Sequence, residues 1–173
     1  MEVFYINIEE FKKKFSKTIL EQYADFEIKN EKRFFEYTVG RFLVKNVAKE
    51  RFNIQDSKII LNNNKPIFKN AKLHFNISHS KDIVIACFDN NPCGVDIEFI
   101  KEKKLDSFSK YFKQDFKTQE DFYKFWTYKE ASYKLGCEVK DSHFTRFLDN
   151  YYLTIVSDKN IKKNLLIINY MNL

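Results

Sequence analysis

The chain has 173 residues, of which 44% are hydrophobic and 31% charged, enough for one domain or two small ones with a genuine core and far from the composition of a disordered polymer. No apolar run approaches the roughly 20 residues that cross a bilayer, the first ten residues are too charged for a signal core, and three cysteines without CxxC spacing argue against a disulfide framework or a zinc site, so a cytoplasmic protein is expected. The net charge of +6 favours an anionic partner without choosing among nucleic acid, a phosphorylated ligand and an acidic protein.

Residues 2–8 read as a strand, and an amphipathic helical segment follows around Phe11, Phe15, Ile19 and Tyr23. A long helix is predicted from Glu31 to Phe52, with Phe35, Val39, Phe42, Leu43 and Val47 as its apolar stripe. Lys32, Arg33, Arg41, Lys45 and Lys49 supply its cations. "SKIIL" is a short strand, and "NNNKP" is turn chemistry ahead of Ile67 and Phe68. Three strand-like pieces come next, "LHFNIS", "IVIACF" and "CGVDIEFI", with Cys87 as a small core residue. "SFSKYFKQDF" and "QEDFYKFWTYKEASYKL" are helical, and "NYYLTIV" and "NLLIINYM" read as a terminal hairpin. The mixed order of strands and helices, with no linker, low-complexity stretch or repeat visible by eye, predicts an α+β fold.

Three short stretches carry candidate chemistry. In "GVDIE", residues 94–98, a strand would send Val95 and Ile97 into the core, leaving Asp96 and Glu98 together on the opposite face, about 6.6 Å apart at Cα. By itself such a pair is the polar side of an edge strand. The alternative is a divalent-cation site, because Mg²⁺ takes hard oxygen ligands and completes its shell with substrate phosphates. In "FWTYKEASYK", Phe122, Phe125, Trp126 and Tyr133 cluster on one side of a helix, with Lys129 inside that stripe and Glu130 at its edge. Glu130 and Lys134 stand four apart, which suits an ordinary helix ion pair. It equally suits a metal ligand or base beside a phosphate-reaching lysine. In "FNISHS", Phe75 and Ile77 would point inward, leaving Asn76, Ser78 and Ser80 on the other face and His79 at the strand's end. Hydroxyls, an amide and an imidazole at such a junction can hold a phosphate by hydrogen bonds.

These three stretches, in this order, resemble the motifs of the 4′-phosphopantetheinyl transferase superfamily, and their spacing is similar to its Sfp-type branch. "NKP" at 64–66 also resembles the family's G-K-P turn, with Asn64 for glycine. The resemblance covers Phe75 to Lys134. It implies two similar α/β subdomains, 1–91 and 92–173, related by pseudo-twofold symmetry, with coenzyme A bound between them. It further implies transfer of the 4′-phosphopantetheine arm of coenzyme A to a serine of an apo acyl or peptidyl carrier protein, with release of 3′,5′-ADP. Asp96, Glu98 and Glu130 would hold Mg²⁺, with Glu130 also the candidate base and Lys134 neutralising the departing phosphate. Lys65, Ser78, His79 and Arg41 would contact coenzyme A, and Lys129 would support the same helix. The sequence departs from the pattern at Glu138, where a second glycine falls after the lysine, and at Glu36, where an arginine often stands.

The expected partners are coenzyme A and an acidic carrier protein, with neither nucleic acid nor membrane, and a monomer is expected. A Mg²⁺-dependent nuclease or other metal-dependent phosphoryl-transfer protein is the alternative. It is opposed by Glu130 and Lys134 lying four apart on a helix, where nuclease cores usually set them two apart on a strand. A third reading is a non-catalytic basic binding module.

Overall fold

The computed structural model describes residues 1–161 and 165–172. Nine strands and five helices follow one another as β1 (Glu2–Asn7), α1 (Ile8–Lys14), α2 (Lys17–Glu21), α3 (Glu31–Phe52), β2 (Ile59–Asn62), β3 (Lys65–Phe68), β4 (His74–Ser80), β5 (Ile83–Asp89), β6 (Cys93–Phe99), α4 (Leu105–Phe112), α5 (Gln119–Leu135), β7 (Asp141–Phe147), β8 (Tyr151–Ser157) and β9 (Ile167–Asn169). The architecture is mixed α+β. No helix among the described residues is long and apolar enough to cross a membrane.

Local chemistry explains the element ends. Asn7 caps α1 by accepting the N–H groups of Glu9 and Glu10, and Asn30 caps α3 by accepting that of Arg33. Thr118 and Asp121 form a reciprocal capping box on α5, which ends at Gly136 with φ +75°. Between β2 and β3, Asn63 and Asn64 both adopt positive φ, 48° and 62°. That is the two-residue hairpin turn for which asparagine can replace glycine. It accounts for Asn64 in the "NKP" turn.

Two sheets form the centre. One has the order β4-β5-β1-β9, the other β6-β8-β7, and β2 and β3 make a separate hairpin. The sheets share one connection pattern: a first strand (β1, β6), a long helix (α3, α5) and a hairpin (β4–β5, β7–β8) whose second strand lies in the middle. The inner faces pack on each other through Val3, Ile83, Ile85 and Cys87 from the first and Val95, Ile97, Leu153 and Ile155 from the second. The outer face of the first is covered by α3, whose predicted stripe is buried with Phe4, Phe75 and Phe88. On the second, α5 and α4 build an aromatic cluster with Phe116, Phe122, Tyr123 and Tyr152. The result is four layers, helix, sheet, sheet and helix.

Several expectations differ from the structure. The segment around Phe11 to Tyr23 is two short helices broken at Phe15 and Ser16, not one. The terminal hairpin does not form: β8 pairs with β6 and β7, and β9 runs parallel to β1. Asn164, the first residue of that hairpin's predicted second arm, lies outside the described residues. Residues 141–147, given no element above, supply β7. Tyr133 leaves the apolar stripe of α5 and is 86% exposed.

Candidate active site

The motif strand β6 sends Val95 and Ile97 between the sheets and turns Asp96 and Glu98 toward α5. The helix can approach because residue 94 is glycine. A β-carbon there would meet the carbonyl oxygen of Ala131 and stand 2.9 Å from Val156 Cγ2 and 3.1 Å from Leu135 N. Close backbone approach is what the "G" of "GVDIE" provides.

At this contact α5 reaches the strand with two side chains two turns apart. Trp126 Nε1 donates to Glu98 Oε1 at 3.1 Å. Lys134 Nζ donates to Asp96 Oδ1 at 2.7 Å, to Ser78 Oγ at 3.0 Å and to the carbonyl of Val95 at 3.1 Å. Glu130 sits one turn from each on the same stripe, half-buried. The i,i+4 pair of Glu130 with Lys134 is not what forms; the ammonium goes to Asp96.

Asp96 is 5% exposed, and its Oδ2 has no hydrogen-bond partner. Burial raises its carboxyl pKa above the ordinary aspartate value, with Glu98 adding to the rise and Lys134 and Ser78 opposing it. Among the described residues, no three His, Cys, Asp and Glu side chains gather into a cluster able to hold a metal. Lys134 is the ion-pair partner of Asp96, and Trp126 donates to Glu98.

Strand β4 lies beside β6. Ser78 Oγ donates to Asp96 Oδ1 at 2.9 Å, and Ser80 Oγ to Glu98 Oε2 at 3.2 Å. The polar face of "FNISHS" is therefore turned inward, with Asn76 and Ser78 each 5% exposed. His79 points the other way, half-exposed, its Nδ1 3.6 Å from Glu36 Oε1. Desolvation lowers its pKa, with Lys134 and Lys32 adding to the drop and Glu36 opposing it.

Two concavities flank this seam and share Pro66 and Ile77. One, of about 310 Å³, is walled by Arg33, Glu36, Tyr37, Arg41 and His79. The other, of about 570 Å³, is walled by Asn62 to Lys65, Asn76 and the end of α5 from Tyr133 to Gly136. Arg41 is 7% exposed; it donates to Tyr37 through Nε and Nη2 and leaves Nη1 unpartnered. Lys65 Nζ donates to the carbonyl of Leu135 at 3.0 Å, tying the β2–β3 hairpin to the end of α5.

The structure thus brings together Ser78, Asp96 and Lys134, puts Glu98 beside them through Ser80 and Trp126, and sets Lys65, His79 and Arg41 around the adjoining hollow. Lys129 stands apart, exposed, with Nζ 4.7 Å from the centre of the Phe112 ring and 5.9 Å from that of Trp126. Two participants escaped the sequence: Trp126, read as apolar stripe, and Ser80, read with a phosphate in mind. The period-two match of Ser78 and Ser80 with Asp96 and Glu98 was the available signal.

The chain is similar to the 4′-phosphopantetheinyl transferase psf-1 of Bacillus pumilus, 28% identical over 159 residues that cover 78% of this chain and 68% of that protein. It is also similar to the 4′-phosphopantetheinyl transferases gsp of Aneurinibacillus migulanus, 30% identical over 118 residues, and Sfp of Bacillus subtilis strain 168, 33% identical over 110. The chain spans about half the length of these last two, 49% of each. No family model matches. The four curated proteins to which the chain is similar, at 28–33% identity over 56–78% of its length, are 4′-phosphopantetheinyl transferases.

Proposed function

We propose that the chain transfers the 4′-phosphopantetheine arm of coenzyme A to a serine hydroxyl of an apo acyl or peptidyl carrier protein, with Mg²⁺, releasing 3′,5′-ADP. The observation that carries this reading is the meeting of Asp96 and Lys134, drawn from a strand and a distant helix, beside a two-part hollow walled by Lys65, Arg33 and Arg41. The reading includes action in the cytoplasm as a monomer.

Carboxylate oxygens suit Mg²⁺ in kind, while Glu130 does not gather with Asp96 and Glu98 into one cluster. Asp96 keeps a buried oxygen without a partner, and Mg²⁺ is usually held by one or two carboxylates plus substrate phosphates. Asp96 and Glu98 would hold it, with Glu130 on the facing turn of α5. When bound, the ion supplies charge neutralisation at the diphosphate. The protein's own share is positioning and charge. Arg41, with a free Nη1, and His79 would receive phosphate oxygens in the smaller hollow, and Lys65 in the larger. Glu130 would take the proton of the incoming serine as its oxygen bonds to phosphorus. Lys134, held at Asp96, would meet the charge of the departing 3′,5′-ADP.

The same reading includes two subdomains, 1–91 and 92–173, related by a pseudo-twofold axis. Its support is the repeated connection of strand, long helix and hairpin in the two sheets.

The test is incubation of the purified chain with coenzyme A, Mg²⁺ and several apo carrier proteins. The expected result is a mass gain of one phosphopantetheine arm on the carrier's serine. No gain on any carrier, with Mg²⁺-dependent DNA cleavage instead, would establish the nuclease alternative.

A further inference from the structure

Strands β4 and β6 are edges of different sheets, yet they run side by side. No main-chain ladder joins them. Asn76 Oδ1 accepts the N–H of Val95 at 3.2 Å, Ser78 Oγ that of Ile97 at 3.2 Å, and Ser80 Oγ that of Phe99 at 2.9 Å. The partners advance together by two residues, so the strands are parallel and in register. Three outward N–H groups of a buried strand edge would otherwise be unsatisfied, and alternate β4 side chains satisfy them. Each serine then gives its own proton to the carboxylate one residue earlier, Ser78 to Asp96 and Ser80 to Glu98.

We infer that Asn76, Ser78 and Ser80 form a positioning ladder that fixes β6 and aims the carboxylates of Asp96 and Glu98, and that Ser78 serves a carboxylate and not a phosphate. A hydroxyl has one proton and two lone pairs. The proton of Ser78 goes to Asp96, and its lone pairs take the N–H of Ile97 and the ammonium of Lys134. The hydroxyl is saturated and buried. Donation to a coenzyme A phosphate would break the bond to Asp96. Ser80 repeats the arrangement without the lysine. The role in catalysis rests on the transferase reading; the ladder itself does not.

Two measurements separate them. In protein free of metal and coenzyme A, amide hydrogen exchange of Ser80→Ala is expected to speed at Phe99 by about tenfold, one lost hydrogen bond, while Val95 keeps its protection and Ser80→Thr restores the parent rate. Unchanged exchange at Phe99 overturns the ladder. In the transfer assay, Ser80→Ala and Ser78→Ala should each raise the Mg²⁺ concentration for half-maximal rate by about tenfold, with the KM for coenzyme A held within about twofold. Ser80→Thr should return the Mg²⁺ requirement to that of the parent. A Ser78→Ala variant with a tenfold higher KM for coenzyme A and an unchanged Mg²⁺ requirement would make Ser78 a phosphate ligand and overturn the assignment. Should Ser78→Ala not fold, the Ser80 pair decides. Absence of transfer by the parent sinks the transferase reading and leaves hydrogen exchange to judge the ladder.

Discussion

Lys134 Nζ lies 2.7 Å from Asp96 Oδ1, joining the last turn of α5 to the middle of β6. The lysine side chain is 26% exposed and the aspartate 7%, so the pair is shielded unequally. The lysine can solvate itself when alone. The aspartate cannot.

Lys134→Met should therefore cost about 3 kcal/mol of stability at neutral pH, the low end for stripping a buried charge of its partner. Urea unfolding measures it. Asp96→Asn should cost less, since the freed ammonium reaches water. Equal losses, or a loss below about 1 kcal/mol for Lys134→Met, would mean that the pair is not the buried contact described here.

The pH dependence follows from the raised pKa of Asp96. Folded Asp96 binds its proton more tightly than unfolded Asp96 does. Above the ordinary aspartate value and up to its folded value, the native state holds more protons, and this group's contribution to stability falls as pH rises. Asp96→Asn lacks that component. In chelator, the stability of the variant relative to the parent should increase over the interval in which pH rises from the ordinary aspartate value to the folded one. A difference that shrinks over that interval contradicts the assignment.

Much of this was legible beforehand, and the limits are physical. Periodicity in "GVDIE" put Asp96 and Glu98 on one face, and the helix over 31–52 matched its predicted bounds and stripe. What the sequence lacked was register between segments far apart. Nothing local says that residue 78 meets residue 96, or that Lys134 prefers Asp96 to its helical neighbour Glu130. The tail was misassigned for the same reason. "NLLIINYM" has strand chemistry, but its partner is β1 at the other end of the chain, not the adjacent β8.

Gly94 supports a sharper test. Its absent side chain admits the backbone of α5 at Ala131, which no rotamer can relieve. Gly94→Ala should cost about 1–3 kcal/mol as overpacking and displace the helix bearing Glu130 and Lys134, so transfer should fall further than stability. Gly136→Ala is the control. Nothing lies within 4 Å of a β-carbon there, and only its φ of +75° is strained, so about 1 kcal/mol should be lost with α5 still in place.

Trp126→Phe removes the indole N–H that Glu98 accepts and leaves one aromatic ring, smaller than the indole, against Phe122 and Phe112. The loss in stability should be about 1 kcal/mol. Activity should suffer more, by about tenfold, if the indole holds the Glu98 carboxylate in place as a partner of a ligand does. Equal activity in both proteins would leave the indole a packing residue.

Arg41 separates binding from chemistry. It is buried in the smaller hollow with one nitrogen free, while Tyr37 and Asp25 hold the rest of its guanidinium. A planar, preheld guanidinium of this kind suits a phosphate, and lysine does not reproduce its geometry. Arg41→Lys should raise the KM for coenzyme A by about tenfold and leave kcat nearly intact, because the contact is made equally in the ground and transition states. A fall in kcat at constant KM would move Arg41 from substrate binding to stabilisation of the transferring phosphoryl group, and the hollow between α3 and β4 would then face the reaction itself.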